Sequence, residues 1–309
     1  MILTVTPNTA LDRVLFVDGF AFGATVRARG AADGMGGKGA VTSWVLGQLG
    51  IPSLATGFAA GETGRRMEEV LRRAGVIAEF LWVGGETRTN YVLARPCDGA
   101  QGTVTVSGLA LAPGDPDRLR AHVEALLPRA RWLLCGGSLP AGMPPDWYAA
   151  LIARAQALGI PTLLDASDPV LAPNAAACPT VIKPNAAEAA CLLGRPVETV
   201  EEAARGAVEL RARGIEAVVI TLGALGAVAA TAEGLLYAPP VPVRVRNTAG
   251  AGDGLNAGLI AARLDGADWV EALRRGVAVA TAVLLTPGTG EVCADDVRAL
   301  YPRVTVRRL

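Results

Sequence analysis

The residues best suited to chemistry lie together in Asn247-Thr248-Ala249-Gly250-Ala251-Gly252-Asp253. Small residues in a row, ahead of the helical pattern Leu255–Leu264, let backbone N–H groups converge on an anion at a helix N-terminus. Asp253 stands at that entrance. Two roles are open to it on this segment alone. It is an ordinary N-cap, or it accepts the proton of an attacking hydroxyl beside an anion cradle.

Other segments have a similar character. In Lys183-Pro184-Asn185-Ala186-Ala187-Glu188 an Asn is followed three residues later by Glu, which is a capping-box pattern. The same Asn185 and Glu188 are oxygen donors suited to a hydrated Mg²⁺. Thr221-Leu222-Gly223-Ala224-Leu225-Gly226 permits close backbone approach to phosphate, although glycine is common in any turn. Gly34-Met35-Gly36-Gly37-Lys38-Gly39 contains GxGxxG, yet Arg27 and Arg29 stand where a dinucleotide loop needs a buried strand. It is no Walker A loop either, because Gly39 follows Lys38 where Ser or Thr belongs. It reads as a glycine turn that presents Lys38 to an anion. The single histidine, His122, excludes a multi-histidine metal site and reads as surface or structural. Cys135, with no histidine near it in sequence, reads as a buried structural thiol.

The elements that must position these segments follow from periodicity. Trp132–Cys135, Pro161–Asp165, Thr180–Ile182 and Ala217–Leu222 are strand-like, with helical patterns over Asp146–Leu158 and Ala203–Arg213. Such alternation predicts a mostly parallel sheet covered by helices, with ligands at the carboxyl ends of its strands. Gly136-Gly137-Ser138, Lys183-Pro184-Asn185 and Thr221-Leu222-Gly223 each follow a strand directly. Met1–Val5 reads as the first strand, and Val41, Trp44, Val45, Gln48 and Leu49 keep helical spacing up to Gly50. Leu11–Gly30 and Arg88–Ser107 instead alternate without intervening helices and predict a small β lid. The predicted division is an α/β domain over 1–10, 31–87 and 108–309, with the lid over 11–30 and 88–107.

Composition narrows the class. The chain of 309 residues is 51% hydrophobic but only 5% aromatic, so Ala, Val, Leu and Gly build the core. Lys+Arg and Asp+Glu both number 29, and a zero formal charge argues against a general nucleic-acid binder. Five scattered cysteines fit a reducing compartment better than a disulfide framework. No secretory signal and no uninterrupted apolar run of about 18 residues is present, so a soluble cytoplasmic protein is expected.

Together these segments resemble the ribokinase-like (phosphofructokinase B) carbohydrate kinase family over nearly the whole chain. Thr248–Asp253 is similar to its Thr-x-Gly-Ala-Gly-Asp signature. Thr4–Asp12, Thr87-Arg88-Thr89-Asn90, Gly137-Ser138-Leu139-Pro140 and Lys183-Pro184-Asn185 look like the 1-phosphofructokinase and tagatose-6-phosphate kinase branch. The resemblance implies a Rossmann-like three-layer α/β/α main domain, and a β-sheet lid that closes on the sugar and mediates a homodimer. It implies ATP-dependent phosphorylation of a sugar phosphate, fructose 1-phosphate first, tagatose 6-phosphate or fructose 6-phosphate next, to the bisphosphate. Asp253 would be the base, and the backbone of Gly250, Ala251 and Gly252 would stabilise the transferring phosphoryl group. Asp12, Gly36, Gly37, Asn90 and Ser138 would hold the sugar, and Lys38, Arg27 and Arg88 its phosphate. ATP would meet Lys183, Asn185, Thr221, Gly223, Gly226, Thr248, Gly250, Gly252, Pro287 and Gly288. Asn185 and Glu188 would hold Mg²⁺ through water, and a monovalent cation could sit near Thr286-Pro287-Gly288-Thr289.

Two departures bear on the acceptor. Val41 and Trp44 occupy positions where this branch usually has Asn and Arg, and Asp165-Ala166-Ser167-Asp168 stands for Asp-Thr-Ser-Gly. They keep two alternatives open: a kinase of an unphosphorylated sugar or nucleoside, and a nucleotide-binding sensor with an altered sugar site.

Overall fold

Strand runs that are apolar on both faces assemble into one large sheet in the computed structural model, which describes residues 1–309. In chain order the first half contains β1 (Ile2–Thr6), β2 (Ala10–Phe16), β3 (Gly30–Gly36), α1 (Lys38–Gln48), β4 (Ser53–Ala59) and α2 (Gly61–Arg73). Short strands β5 (Ile77–Ala78) and β6 (Leu81–Trp82) precede β7 (Arg88–Arg95), β8 (Ala100–Val104) and α3 (Asp115–Leu126). Then follow β9 (Trp132–Gly136), α4 (Trp147–Ala157), β10 (Thr162–Asp165), α5 (Leu171–Ala175), β11 (Val181–Ile182), α6 (Ala186–Leu193) and α7 (Val200–Arg211). The chain closes with β12 (Ala217–Thr221), β13 (Ala227–Thr231), β14 (Gly234–Ala238), α8 (Ala251–Leu264), α9 (Trp269–Val283), α10 (Ala294–Leu300) and β15 (Arg307–Arg308).

The large sheet runs β15-β14-β13-β12-β11-β10-β9-β1-β4-β5, with β6 paired to β4. It is parallel from β12 to β5 and antiparallel from β12 to β15. Alternate residues of each central strand feed two separate cores. Ile2, Leu134, Leu163 and Val219 face α1, α2, α8 and α9, whereas Leu3, Leu133, Leu164 and Val218 face α3, α4 and α7. That is the three-layer α/β/α arrangement expected of strands buried on both faces.

A second sheet, ordered β3-β2-β7-β8, stands apart. It includes residues 31–36, expected from the sequence in the main domain. Gly30–Gly36 has no β-branched residue, so propensity predicted a turn. Pairing with β2 in the register Ala10↔Gly36 to Phe16↔Gly30 outweighs that weakness. Within this sheet Val14, Val92 and Ala94 form their own small core. No helix of the protein is long and apolar enough to cross a membrane.

Candidate active site

The parallel strands deliver their carboxyl ends to one edge, where the polar residues collect. α8 begins there. Its N-cap is Gly250 at φ 86°, and a Cβ on Gly250 would lie 2.5 Å from the Gly290 nitrogen, so only glycine fits this turn. Asp253 therefore lies inside the first turn and caps nothing. The N-cap reading of Asp253 is overturned, because Gly250 holds the N-cap position three residues earlier and, having no side chain, leaves the first N–H groups of α8 open. Its Oδ1 is buried without any hydrogen-bond partner.

Asp165, at the end of β10, organises the surroundings. Lys38 Nζ donates to its Oδ1 at 2.7 Å, while Lys183 Nζ at 2.9 Å and Asn256 Nδ2 at 2.7 Å both reach Oδ2. Lys38 also donates to Glu188 Oε1 at 2.9 Å, which accepts from the Ser167 hydroxyl at 2.6 Å. Two ammoniums thus face two carboxylates, and Asp253 is a third acid in an already neutral cluster. Burial and the charge of Asp165 push Asp253 up to about 8, against the pull of Lys183 and Lys38. Asp165 would itself be raised by burial, but Lys183 and Lys38 outweigh that and hold it at about 2. Burial likewise works against the Lys38 ammonium, and its two carboxylate partners reverse the effect and raise it.

Asn185 and Glu188 form the complete capping box of α6. The Asn185 side chain accepts from Glu188 N–H and Glu188 Oε2 accepts from Asn185 N–H, each at 2.9 Å. With Glu188 Oε1 held by Lys38 and Ser167, these oxygens offer single remaining lone pairs. No group of three or more His, Cys, Asp or Glu side chains is placed to hold a metal. The donor set fits an ion that retains its own water shell, as Mg²⁺ does, and not an inner-sphere cage.

Beside the cradle lies a cavity of about 460 Å³, lined by Thr221, Gly223, Gly226, Thr248 and Gly252 at one end and by Val241, Val243, Ala280 and Leu284 among its apolar walls. Its size and apolar character suit a purine nucleotide. Lys183 and Asn185 border it: Asn185 bridges to Thr221, and Lys183 Nζ lies 3.3 Å from where a Gly252 Cβ would stand. Pro287 and Gly288 do not line it. The Pro287 carbonyl accepts from Asn247 Nδ2 at 2.8 Å, which ties that segment to the start of the cradle.

Across the cradle, the lid sheet brings Asp12 and Asn90 together, with Asn90 Nδ2 donating to Asp12 Oδ1 at 2.8 Å. A Cβ on Gly36 would lie 2.3 Å from Asp12 Oδ1, so Gly36 keeps this approach open. Burial raises the Asp12 carboxyl, with the Asn90 amide, the Thr289 hydroxyl and the Arg88 charge opposing in that order. Gly37 holds the left-handed turn before α1. Ser138 accepts from Asn8 Nδ2 at 3.0 Å. Of the three cations expected at a sugar phosphate, two are bonded within the chain and one is exposed. Lys38 is turned onto carboxylates, Arg27 is exposed, and Arg88 donates to the carbonyls of Thr9, Asn8 and Val106 at 3.2–3.4 Å.

Asp165, met in the sequence only as a strand end and in a departure from the branch pattern, and Asn256 have no site role there. Asp165 could have been found as a carboxylate closing an apolar strand, and Asn256 as the one polar residue in the helical run Gly254–Ile260. His122 and Cys135 have the structural roles expected: His122 Nε2 meets the Glu79 carbonyl at 3.0 Å, and burial raises the Cys135 thiol.

The sequence pattern described as pfkB family carbohydrate kinase matches residues 4–296. A 1-phosphofructokinase of Rhodobacter capsulatus is 33% identical over 310 residues, covering 100% of this chain and 98% of that protein. A 1-phosphofructokinase of Haloferax volcanii is 36% identical over 308 residues, covering 96% and 95%. The phosphofructokinase-2 of Escherichia coli, solved with substrates and products, superposes with a TM-score of 0.89 at 25% identity, covering 98% of each chain.

Proposed function

The chain belongs to the pfkB family of carbohydrate kinases, and from that premise we propose that it transfers the terminal phosphoryl group of ATP to a sugar phosphate, fructose 1-phosphate first. Tagatose 6-phosphate and fructose 6-phosphate are the next acceptors in order. The observation that carries this reading is Asp253: a buried carboxyl at the mouth of a glycine cradle, its Oδ1 without a partner, pushed up to about 8 by burial and the charge of Asp165.

The chemistry follows from that placement. Nucleotide in the apolar cavity points its phosphates at the α8 N-terminus, where backbone N–H groups face them. Lys38 and Lys183 stand ready at the same edge, held in place by Asp165 until phosphate oxygens compete for them. Asp253 takes the proton of the acceptor hydroxyl as the bond to phosphorus forms and the bond to the leaving phosphate breaks. Mg²⁺, held through water by Glu188 and Asn185, would supply charge neutralisation on the phosphates when bound. Asp12 and Asn90 bind acceptor hydroxyls from the lid side.

A kinase of an unphosphorylated sugar is the second reading, and one observation favours it: Lys38 and Arg88 are spent on the chain's own carboxylates and carbonyls, and Arg27 is exposed. A homodimer through the lid is in keeping with the exposure of Phe20, Phe22, Tyr91, Val104 and Val106 on and beside that sheet. The deciding experiment is an acceptor panel with Mg²⁺-ATP and coupled ADP detection. Turnover of fructose 1-phosphate well above free sugars is the expected result, and turnover of free sugars alone would replace this reading with the second.

A further inference from the structure

Asp12, Asn90 and Thr289 are all more than nine-tenths buried and meet at the seam between lid and main domain. Five of the eight buried polar side-chain atoms without a partner lie at this edge of the sheet: Thr6 Oγ1, Asn90 Oδ1, Asp253 Oδ1, Asn256 Oδ1 and Thr289 Oγ1. Native proteins leave few such atoms, and a cluster of them marks a place where something other than the chain supplies the partner. Asp253 is already given to the reaction. Thr289 stands beside Asp12, whose ionised form its hydroxyl favours, yet its Oγ1 makes no well-formed hydrogen bond and no acceptor contact has been assigned to it above.

Backbone geometry fixes Thr289 beside Asp12. Asp12 is the cross-strand partner of Gly34. A Cβ on Gly34 would lie 3.5 Å from Thr289 Cβ and 3.3 Å from its carbonyl oxygen, so the threonine packs on β3 opposite Asp12. The next residue is clamped on two sides. Gly290 N–H donates to the Ala249 carbonyl at 3.1 Å, and its own carbonyl accepts from Gln48 Nε2 at 3.1 Å. Val41, in contact range of Gly290, offers only methyl groups. Among the residues of this loop and the Val41 face packed on it, the free hydrogen-bonding capacity beside Asp12 rests with Thr289.

The groups gathered there are complementary to a polyol. Asn90 spends its amide on Asp12, which leaves its Oδ1 as an acceptor; Asp12 is an acceptor; and a threonine hydroxyl both donates and accepts. Vicinal hydroxyls, each a donor and an acceptor, satisfy all three at once. We infer that Thr289 is a specificity-determining residue for the acceptor, its side-chain hydroxyl binding a hydroxyl of the polyol that Asp12 and Asn90 hold from the lid. This rests on the sugar-kinase reading above, and it adds a contact from the main domain that makes recognition two-sided.

The test is steady-state kinetics on Thr289→Val and Thr289→Ser with ATP and fructose 1-phosphate, followed by monodeoxy analogues of that acceptor. Thr289→Val is expected to raise acceptor KM about tenfold and leave nucleotide KM unchanged, with Thr289→Ser within about twofold of wild type. One monodeoxy acceptor should lose about tenfold on wild type and nothing further on Thr289→Val, the non-additivity of a broken pair. Thr289→Ala replaces the valine variant in the same assays if that variant does not fold. An unchanged acceptor KM overturns the inference. So does equal impairment of the valine and serine variants, or a parallel rise of both substrates' KM. If wild type turns over a different polyol, the fructose 1-phosphate reading falls and the variants are measured on that polyol. If no polyol is turned over, both readings fall.

Discussion

Gln101 on β8 of the lid clasps Thr248 of the anion cradle: its Nε2 donates to the Thr248 hydroxyl at 2.8 Å, and its Oε1 accepts from the Thr248 N–H at 3.4 Å. The neighbouring turn adds a packing contact, since a Cβ on Gly99 would lie 2.9 Å from the Val245 carbonyl oxygen, and Val245 lines the nucleotide cavity. The lid that carries Asp12 and Asn90 is thus tied to the nucleotide side of the site. Both bonds are exposed, so their combined effect is modest, roughly 1 kcal/mol. Gln101→Ala is expected to raise KM for both substrates about fivefold, in keeping with that free energy. It should also speed proteolysis of the β7–β8 hairpin. An acceptor KM that moves while the nucleotide KM does not would mean the clasp holds the lid without coupling the two substrates.

Asp253→Asn removes the base and keeps the shape. The side chain makes no hydrogen bond through Oδ1 and is absent from the cavity lining, so nucleotide binding should survive. A positioned general base contributes about 10²–10⁴ in rate, and kcat should fall within or beyond that range. Calorimetry with ATP alongside turnover separates the two effects. Near-normal kcat would remove Asp253 from the mechanism.

Much of this arrangement was legible in the sequence because it rests on local rules. Strand ends, the capping box at Asn185 and Glu188, and the glycine run before Asp253 are each written within a few neighbouring residues. What stayed hidden depends on long-range placement. Lys38 and Asp165 lie 127 positions apart, and nothing in either neighbourhood says that the lysine turns to a carboxylate instead of an anionic ligand. The strand Gly30–Gly36 was equally opaque, because its residues favour a turn and only pairing with β2 extends them. Pro287 and Gly288 are expected at the nucleotide by family likeness alone, and nothing in their own neighbourhood foretells the bond from Asn247 to the Pro287 carbonyl.

Asp165 is the hub that two lysines and Asn256 share, and its side chain is 1% exposed. Asp165→Asn leaves the Lys183 and Lys38 charges without their main partner, a loss of about 3–5 kcal/mol for a buried pair. A clear drop in melting temperature is expected. The same substitution removes a charge that raises Asp253, so the acid limb of the residual activity should move to lower pH. Unaltered thermal stability would contradict the network as described.

Asp253 also links activity and stability to pH with opposite signs. Burial, then the Asp165 charge, moves it from an ordinary 3.8 to about 8 in the free enzyme. The base works only when ionised, so kcat/KM should rise with pH up to about 8 and level off above it. For stability, the folded value lies above the unfolded one, so the folded state keeps a proton that the unfolded chain has released. The stabilisation from that proton is complete below the ordinary carboxylate range and is lost as pH rises through about 8. Asp253→Asn cannot ionise and does not suffer this loss. Its melting temperature should exceed that of wild type by a margin that widens from about pH 5 to about pH 9. A margin that stays constant over that interval, with kcat/KM already flat at pH 6, would mean that Asp253 is ionised throughout and that the neutral cluster around Asp165 does not hold its proton.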